Sequence, residues 1–96
     1  MRIEESRKKI DAIDTEILIL LNRRAEVSRE IGLLKLQAAL PVADPKREDD
    51  ILRCVLRENE GSIGDRAVAE IYRAILTDSR RIQVELRTEL LAGENP

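Results

Sequence analysis

The chain has 96 residues and a formal net charge of −2, with 43% hydrophobic and 38% charged residues. This length gives one small domain, and the mixed charges argue against a nucleic-acid binder, which needs a dominant basic surface. The sequence contains no histidine, which excludes Ser-His-Asp and Cys-His catalysis and the common zinc sites. Any chemistry must therefore use Arg, Lys, Asp, Glu, Ser and Gln, which are suited to holding anions and oxygen atoms.

The sequence also predicts the cellular compartment of the protein. No segment approaches the ~20 apolar residues needed to span a bilayer, and the opening MRIEESRKKI lacks the apolar stretch of a signal peptide. Cys54 is the only cysteine, which excludes an internal disulfide and fits a reducing compartment. We therefore expect a cytoplasmic protein that binds neither membranes nor nucleic acid.

A heptad pattern of apolar residues runs from the start of the chain to Pro41. Its two apolar positions are occupied by Ile3, Ile10, Ile17, Arg24, Ile31 and Ala38, and by Ser6, Ile13, Leu20, Val27 and Leu34. The pattern predicts one helix over about residues 3–40, which is roughly 55 Å long. A compact domain of this size has a radius of gyration of about 13 Å, so the helix extends beyond any globule that one chain can form. The apolar face of this helix therefore predicts a homodimer. Gly32 indicates that another helix packs closely against the backbone at that position.

Two further helices are predicted after a short linker. Asp44 and Pro45 are suited to the N-cap and first position of a helix over about residues 45–60. Glycines then interrupt the pattern, and a third helix is predicted over about residues 65–91 with Asp65 as its N-cap. An aliphatic core without Phe or Trp suits packed helices better than a β-sandwich. The expected fold is a single all-α domain over residues 1–96, with a long, a short and a medium helix.

Polar side chains interrupt the apolar faces of the first and third helices. Arg24 occupies an apolar position, and Lys35 follows eleven residues later, on nearly the same face and about 16 Å away. The two cations could bracket a small polyanion, although Arg24 could instead fix the register of helix pairing and Lys35 could be a surface residue. In the third helix, Ser79 and Gln83 offer a neutral hydrogen-bonding edge, or Ser79 allows close helix packing.

One further cluster of charged residues and one single arginine have simple structural explanations. Asp44, Arg47 and Glu48 lie together at the start of the second helix, where capping and the helix dipole account for both acids. Arg7 lies beside the apolar face of the first helix and could be a solvated charge. Spacing alone does not assign a site to either group.

Five segments, taken in order, resemble the motifs of the all-helical chorismate mutase family. They are residues 7–14 (RKKIDAID), 20–24 (LLNRR), 31–35 (IGLLK), 41–48 (PVADPKRE) and 78–83 (DSRRIQ). Each motif is weak alone, but the five together, with family-like spacing over nearly the whole chain, are specific. The resemblance implies an intertwined all-α homodimer that converts chorismate to prephenate, on the route to Phe and Tyr, without a cofactor or metal.

The resemblance also implies which residues bind the substrate. Arg7 is similar to the arginine that the partner chain inserts into the site. Arg24 and Arg47 are similar to arginines that bind the substrate carboxylates, with Ser79 as a hydroxyl partner. A guanidinium group suits this role because it can hold a carboxylate through two parallel hydrogen bonds.

The remaining matched residues surround the reacting atoms. Lys35 and Gln83 are similar to the pair that contacts the ether oxygen, and together with Arg24 they are the expected catalytic residues. Asp44 and Glu48 are similar to the groups around the ring hydroxyl. The rearrangement needs no base, since it depends on holding a folded conformation and on stabilising charge that develops on the ether oxygen.

Two other functions remain open from the sequence. An isochorismate-pyruvate lyase uses the same scaffold and a cationic pocket, and pyruvate release would identify it. A non-catalytic helical dimerisation module explains the heptads, but it does not explain Arg24 or Ser79 at apolar positions.

Overall fold

A computed structural model describes residues 2–93 as three α-helices without a strand. Helix α1 spans Arg2–Gln37, α2 spans Pro45–Glu58 and α3 spans Asp65–Gly93. The all-α class and the long, short, medium order expected from the sequence are confirmed. No helix within residues 2–93 combines the length and apolar character needed to cross a bilayer.

Helix α1 ends three residues before the predicted end at residue 40, because the chain turns sharply there. Ala39 has a φ of +57°, in the left-handed region. Its N–H donates to the carbonyl of Leu36 at 3.1 Å, and the N–H of Leu40 donates to the carbonyl of Lys35 at 2.8 Å. These two bonds form a Schellman motif, which is usually built on glycine. An alanine at this position gives no stop signal in the sequence.

The predicted start of α2 is correct, and its other boundary differs slightly. A side-chain oxygen of Asp44 accepts the N–H of Arg47 at 3.1 Å, as an N-cap does. Helix α2 ends at Glu58 rather than at residue 60, where the Asn59 side chain donates to the carbonyl of Ile63 at 2.9 Å and so ties the following loop.

Helix α3 begins at the predicted residue, although its cap is not the predicted one. Asp65 is the first helical residue, and Gly64 precedes it as the cap, since the carbonyl of Gly64 accepts the N–H of Val68 at 3.0 Å. The helix ends at Gly93, two residues beyond the predicted end. Capping by a glycine leaves the Asp65 carboxylate available to accept a hydrogen bond from Asn59 at 2.8 Å.

Helix α3 packs against both α1 and α2 and supplies the core. Val68, Leu76 and Leu86 are the buried hydrophobic residues of the described range, and all three lie on α3. Contacts between α1 and α3 advance along both helices in the same direction, from Arg24 with Ser79 to Arg29 with Glu89. The two long helices therefore run roughly parallel where they meet.

The first half of α1 extends away from this core. Every residue from 2 to 23 is exposed, including the isoleucines at positions 3, 10, 13 and 17. The chain measures 64 × 28 × 15 Å and has a radius of gyration of 17.3 Å, compared with about 13 Å for a compact domain of this length. The heptad face thus lies uncovered in the single chain, and the homodimer stays a prediction.

Candidate active site

A cavity of about 460 Å³ lies where the second half of α1, the linker, α2 and α3 meet. Its walls combine aliphatic side chains with polar residues from all four segments. The aliphatic residues are Val27, Ile31, Val42, Ile51 and Leu76. The polar residues are Arg24, Ser28, Lys35, Asp44, Arg47, Glu48, Ser79, Arg80 and Gln83. Every predicted site residue except Arg7 therefore lies in one place.

Lys35 and Gln83 are hydrogen-bonded to each other in the cavity wall. The Lys35 ammonium donates to the Gln83 Oε1 at 3.0 Å and to the carbonyl of Val42 at 2.9 Å. The Gln83 amide Nε2 donates to the Ser28 hydroxyl at 3.2 Å. An ammonium has three donors and an amide nitrogen has two, so each group keeps one N–H without a partner among residues 2–93. Both groups are thus held in place with a donor to spare.

The tight packing of Gln83 explains the glycine in α1. A Cβ added to Gly32 would lie 3.0 Å from Gln83 Cγ and 3.3 Å from Gln83 Cα. Such distances are shorter than those of ordinary van der Waals contacts. The close approach predicted from Gly32 is present, and the neighbour is α3 of the same chain.

Arg24 and Ser79 form a second contact between α1 and α3. The Arg24 guanidinium donates to the Ser79 hydroxyl at 2.5 Å, and this hydroxyl donates to the carbonyl of Ile75 at 3.0 Å. The Ser28 hydroxyl donates to the carbonyl of Ser79 at 3.3 Å. The polar residues at apolar positions of the two helices are therefore explained by contact with each other.

The start of α2 forms the more open side of the cavity. Asp44 caps the helix, and Arg47 is exposed, with no side-chain hydrogen bond to any residue from 2 to 93. Glu48 is half-buried, and its Oε2 lies 3.0 Å from Nε of Arg80 on α3. Capping thus accounts for Asp44, while Arg47 and Glu48 turn functional groups toward the cavity.

The cavity walls carry an excess of positive charge. Four cations and two carboxylates line it, giving a formal net charge of +2. Arg24 and Lys35 donate hydrogen bonds to neutral oxygens. An anionic ligand can therefore pair with these two cations without breaking an existing ion pair. Aliphatic surfaces beside fixed cations suit a small organic dianion with an apolar ring.

Arg7 does not belong to the cavity of its own chain. Its side chain is exposed and pairs with Glu4 at 2.9 Å. It precedes Arg24 by 17 residues on one helix, which corresponds to about 26 Å along the axis. A single chain cannot bring Arg7 to the other predicted site residues.

Two polar residues of the cavity were not predicted as site residues from the sequence. Ser28 was not assigned to the site from the sequence, although it is buried against Gln83. Arg80 lies in the segment DSRRIQ, where it and Arg81 look equally like surface charges. The spacing of Arg80 from Ser79 and Gln83 along the helix does not identify it as a cavity residue. It lines the cavity because it contacts α2, and the sequence does not show this contact.

The perturbed ionisable groups of the described range lie outside this cavity. Hydrogen bonding to Arg81 lowers the pKa of the exposed Asp78 carboxyl below its ordinary value. Bonds to Asp78 and Glu85 raise the pKa of Arg81 further above its already high value. Residues 2–93 contain no cluster of three or more Cys, Asp or Glu side chains arranged to hold a metal ion.

The fold and cavity together define an all-α protein with a cationic pocket whose lining is suited to a small dianion. The chorismate mutase type II family model matches residues 6–84, and the chain belongs to this family.

Individual relatives agree with this assignment. The bifunctional chorismate mutase/prephenate dehydratase of Aquifex aeolicus is 38% identical over 93 residues, which cover 93% of this chain but 26% of the relative. The chain thus spans about a quarter of that relative's length. Form II of the chorismate mutase from Thermus thermophilus superposes with a TM-score of 0.84 at 35% identity, covering 86% of this chain and 94% of that one. Chorismate mutase from Helicobacter pylori, solved in complex with prephenate, superposes with a TM-score of 0.81 at 30% identity, covering 91% and 94%.

Proposed function

We propose that this chain is a chorismate mutase, which converts chorismate to prephenate by a Claisen rearrangement that needs no metal or cofactor. The observation that carries the proposal is the pair of spare donors on Lys35 and Gln83, held side by side in a cationic cavity. The similar Helicobacter pylori enzyme, whose structure contains prephenate, supports the same ligand class.

The cavity residues are suited to binding chorismate in a folded conformation. Chorismate is a dianion, and its enolpyruvyl group must lie over the ring before the carbon–carbon bond forms. Arg24 and Arg47 can hold the two carboxylates, with the Ser79 hydroxyl fixing the Arg24 guanidinium. Asp44 and Glu48 can accept the ring hydroxyl. Restricting the substrate in this way lowers the barrier by several kcal/mol in well-oriented intramolecular reactions.

Lys35 and Gln83 act on the bond that breaks. As the C–O bond lengthens, negative charge develops on the ether oxygen. The spare N–H groups of the ammonium and the amide can both donate to this oxygen, and they are already oriented by Val42, Ser28 and each other. Donors fixed before the reaction stabilise the transition state more than the ground state.

The complete site requires a second copy of the chain. The exposed apolar face of α1 is suited to pairing with the same face of another chain, and Arg7 then reaches the partner's cavity. This homodimer accounts for an arginine on the extended half of α1, about 26 Å from its own site. The cytoplasmic location expected from the single cysteine stays a prediction.

The direct test is to mix the purified protein with chorismate, follow its ultraviolet absorption, and identify the product by chromatography. We expect prephenate in the wild type and a loss of about 10²–10³ in kcat for Lys35→Ala, as for removal of one oxyanion donor. Lys46→Ala is the control, because Lys46 is exposed on α2 and outside the cavity. Near-normal turnover by a folded Lys35→Ala protein would contradict the assignment, and pyruvate formed from isochorismate without prephenate formation would assign the lyase reaction.

The shared site is tested by mixing two inactive variants. Arg7→Ala and Lys35→Ala chains, co-expressed with different tags and purified as the mixed species, should recover part of the activity, because one of the two sites contains both residues. The matched mixture of Arg24→Ala with Lys35→Ala should not recover, since both residues belong to the same chain's cavity. Absence of rescue in proven mixed dimers would refute the exchange of Arg7.

A further inference from the structure

Arg80 is the cavity cation that the proposed reaction does not use. It belongs to α3, one residue after Ser79, and lines the cavity beside Glu48 of α2. Its Nε lies 3.0 Å from Glu48 Oε2, and its Nη2 donates to the Thr77 hydroxyl at 3.4 Å. The guanidinium is thus anchored on its own helix while it contacts the carboxylate opposite.

This ion pair differs from the others in the described range. It is the only one that joins α2 to α3 within residues 2–93, and the pairs of Arg53, Arg66 and Arg81 join residues of one helix. The Glu48 side chain is 26% exposed, less than any other member of these pairs. A surface ion pair contributes little to stability. A gain in stability therefore does not by itself explain why this ion pair lies at the cavity wall.

The geometry leaves one carboxylate oxygen of Glu48 for a ligand. A carboxylate has two acceptor oxygens. The closest approach of Arg80 is to Oε2, and Oε1 receives no hydrogen bond from residues 2–93. We propose that Arg80 is a specificity-determining residue, which holds Glu48 so that its second oxygen accepts a hydrogen bond from the ring hydroxyl of the ligand. The inference rests on the proposed function, in which a hydroxylated ring dicarboxylate occupies this cavity.

Charge gives Arg80 a second effect on the same ligand. An unpaired carboxylate beside a dianion would repel it, and the guanidinium offsets this repulsion without removing the acceptor. Arg80 therefore lets the cavity combine an acceptor for a hydroxyl group with affinity for negative charge. The neighbouring Arg81 cannot do the same, because its guanidinium pairs with Asp78 and Glu85 on the same helix.

The test compares two ligands that differ by one hydroxyl group. Both are bicyclic ether dicarboxylates that resemble the transition state, one with the ring hydroxyl and one without it, and calorimetry measures their affinities. We expect the wild type to prefer the hydroxylated compound by about tenfold, as for one hydrogen bond to a charged group. Arg80→Met should reduce the preference to about twofold or less, while Arg81→Met, the matched control, should keep it.

A second variant separates positioning from a purely structural role. Glu48→Met removes the same ion pair from α2, and adding Arg80→Met to it should not change the ligand preference any further. A tenfold preference retained by Arg80→Met would overturn the inference, even if its melting temperature fell. So would a wild type that binds both compounds equally, whereas a wild type that prefers the hydroxylated compound but forms no prephenate would refute only the proposed function.

Discussion

Replacing Gly32 by alanine tests the packing that positions Gln83. The added Cβ would lie 3.0 Å from Gln83 Cγ, 3.2 Å from its Cβ and 3.3 Å from its Cα. The first of these atoms can rotate away, but the last belongs to the backbone of α3. Gln83 is also fixed by its bonds to Lys35 and Ser28. The two helices must therefore separate by a few tenths of an ångström or Gln83 must leave its position.

Two opposing terms set the expected loss of stability. Alanine is about 1 kcal/mol more favourable than glycine inside a helix, and overpacking a close contact costs about 1–3 kcal/mol. We expect Gly32→Ala to lower the free energy of unfolding by up to about 2 kcal/mol, which is the difference between these terms. Displacing the donor of Gln83 should lower kcat by about tenfold, since misplacement by about 1 Å can cost 10².

Urea unfolding at a fixed chain concentration and steady-state kinetics measure the two effects. Gly93→Ala is the control, since an added Cβ meets no atom within 4 Å there, and it should change stability by less than about 0.5 kcal/mol. If Gly32→Ala instead gained about 1 kcal/mol, as an unconstrained helix position would, and kept its kcat, the close packing of α1 on Gln83 would be refuted.

Two further substitutions test local features away from the cavity. Ala39→Gly should raise the free energy of unfolding by about 1 kcal/mol, because glycine adopts the left-handed conformation of the Schellman motif without strain; an unchanged urea midpoint would contradict this. Asp78→Asn should lower the melting temperature slightly at neutral pH, because Arg81 depresses the pKa of the folded carboxyl below its ordinary value of 3.8. A depressed pKa stabilises the fold above pH 3.8, and this contribution disappears as the pH falls through the folded pKa. The difference between wild type and variant in thermal melts should therefore shrink in acid, and a difference that grew there would refute the sign.

The sequence predicted the helices well because their signals are local. The heptad pattern of α1 and the Asp44–Pro45 start of α2 act within one or two turns. The end of α1 was placed too late because Ala39 adopts a conformation that usually marks glycine. The cap of α3 was assigned to Asp65 rather than Gly64 because aspartate is the commoner capping residue.

The cavity was predictable where its residues break a pattern. Arg24 and Ser79 occupy apolar positions, and the structure shows that they contact each other. Arg80 breaks no pattern, since an arginine on a helix in a charged segment is ordinary. The role proposed for Arg80 depends on its contact with Glu48, which lies more than 30 residues earlier in the chain. The sequence around Arg80 does not indicate this contact with another helix.

The neutral oxygens that hold Arg24 and Lys35 have a consequence for the ligand-free protein. Because neither cation pairs with a carboxylate among residues 2–93, positive charges face one another across the cavity, and their repulsion disfavours the compact state. The unfavourable charge is thus concentrated in the cavity that we propose as the substrate site. A bound dianion relieves this repulsion, so ligand binding and folding stabilise each other, and the protein is most stable when it is occupied.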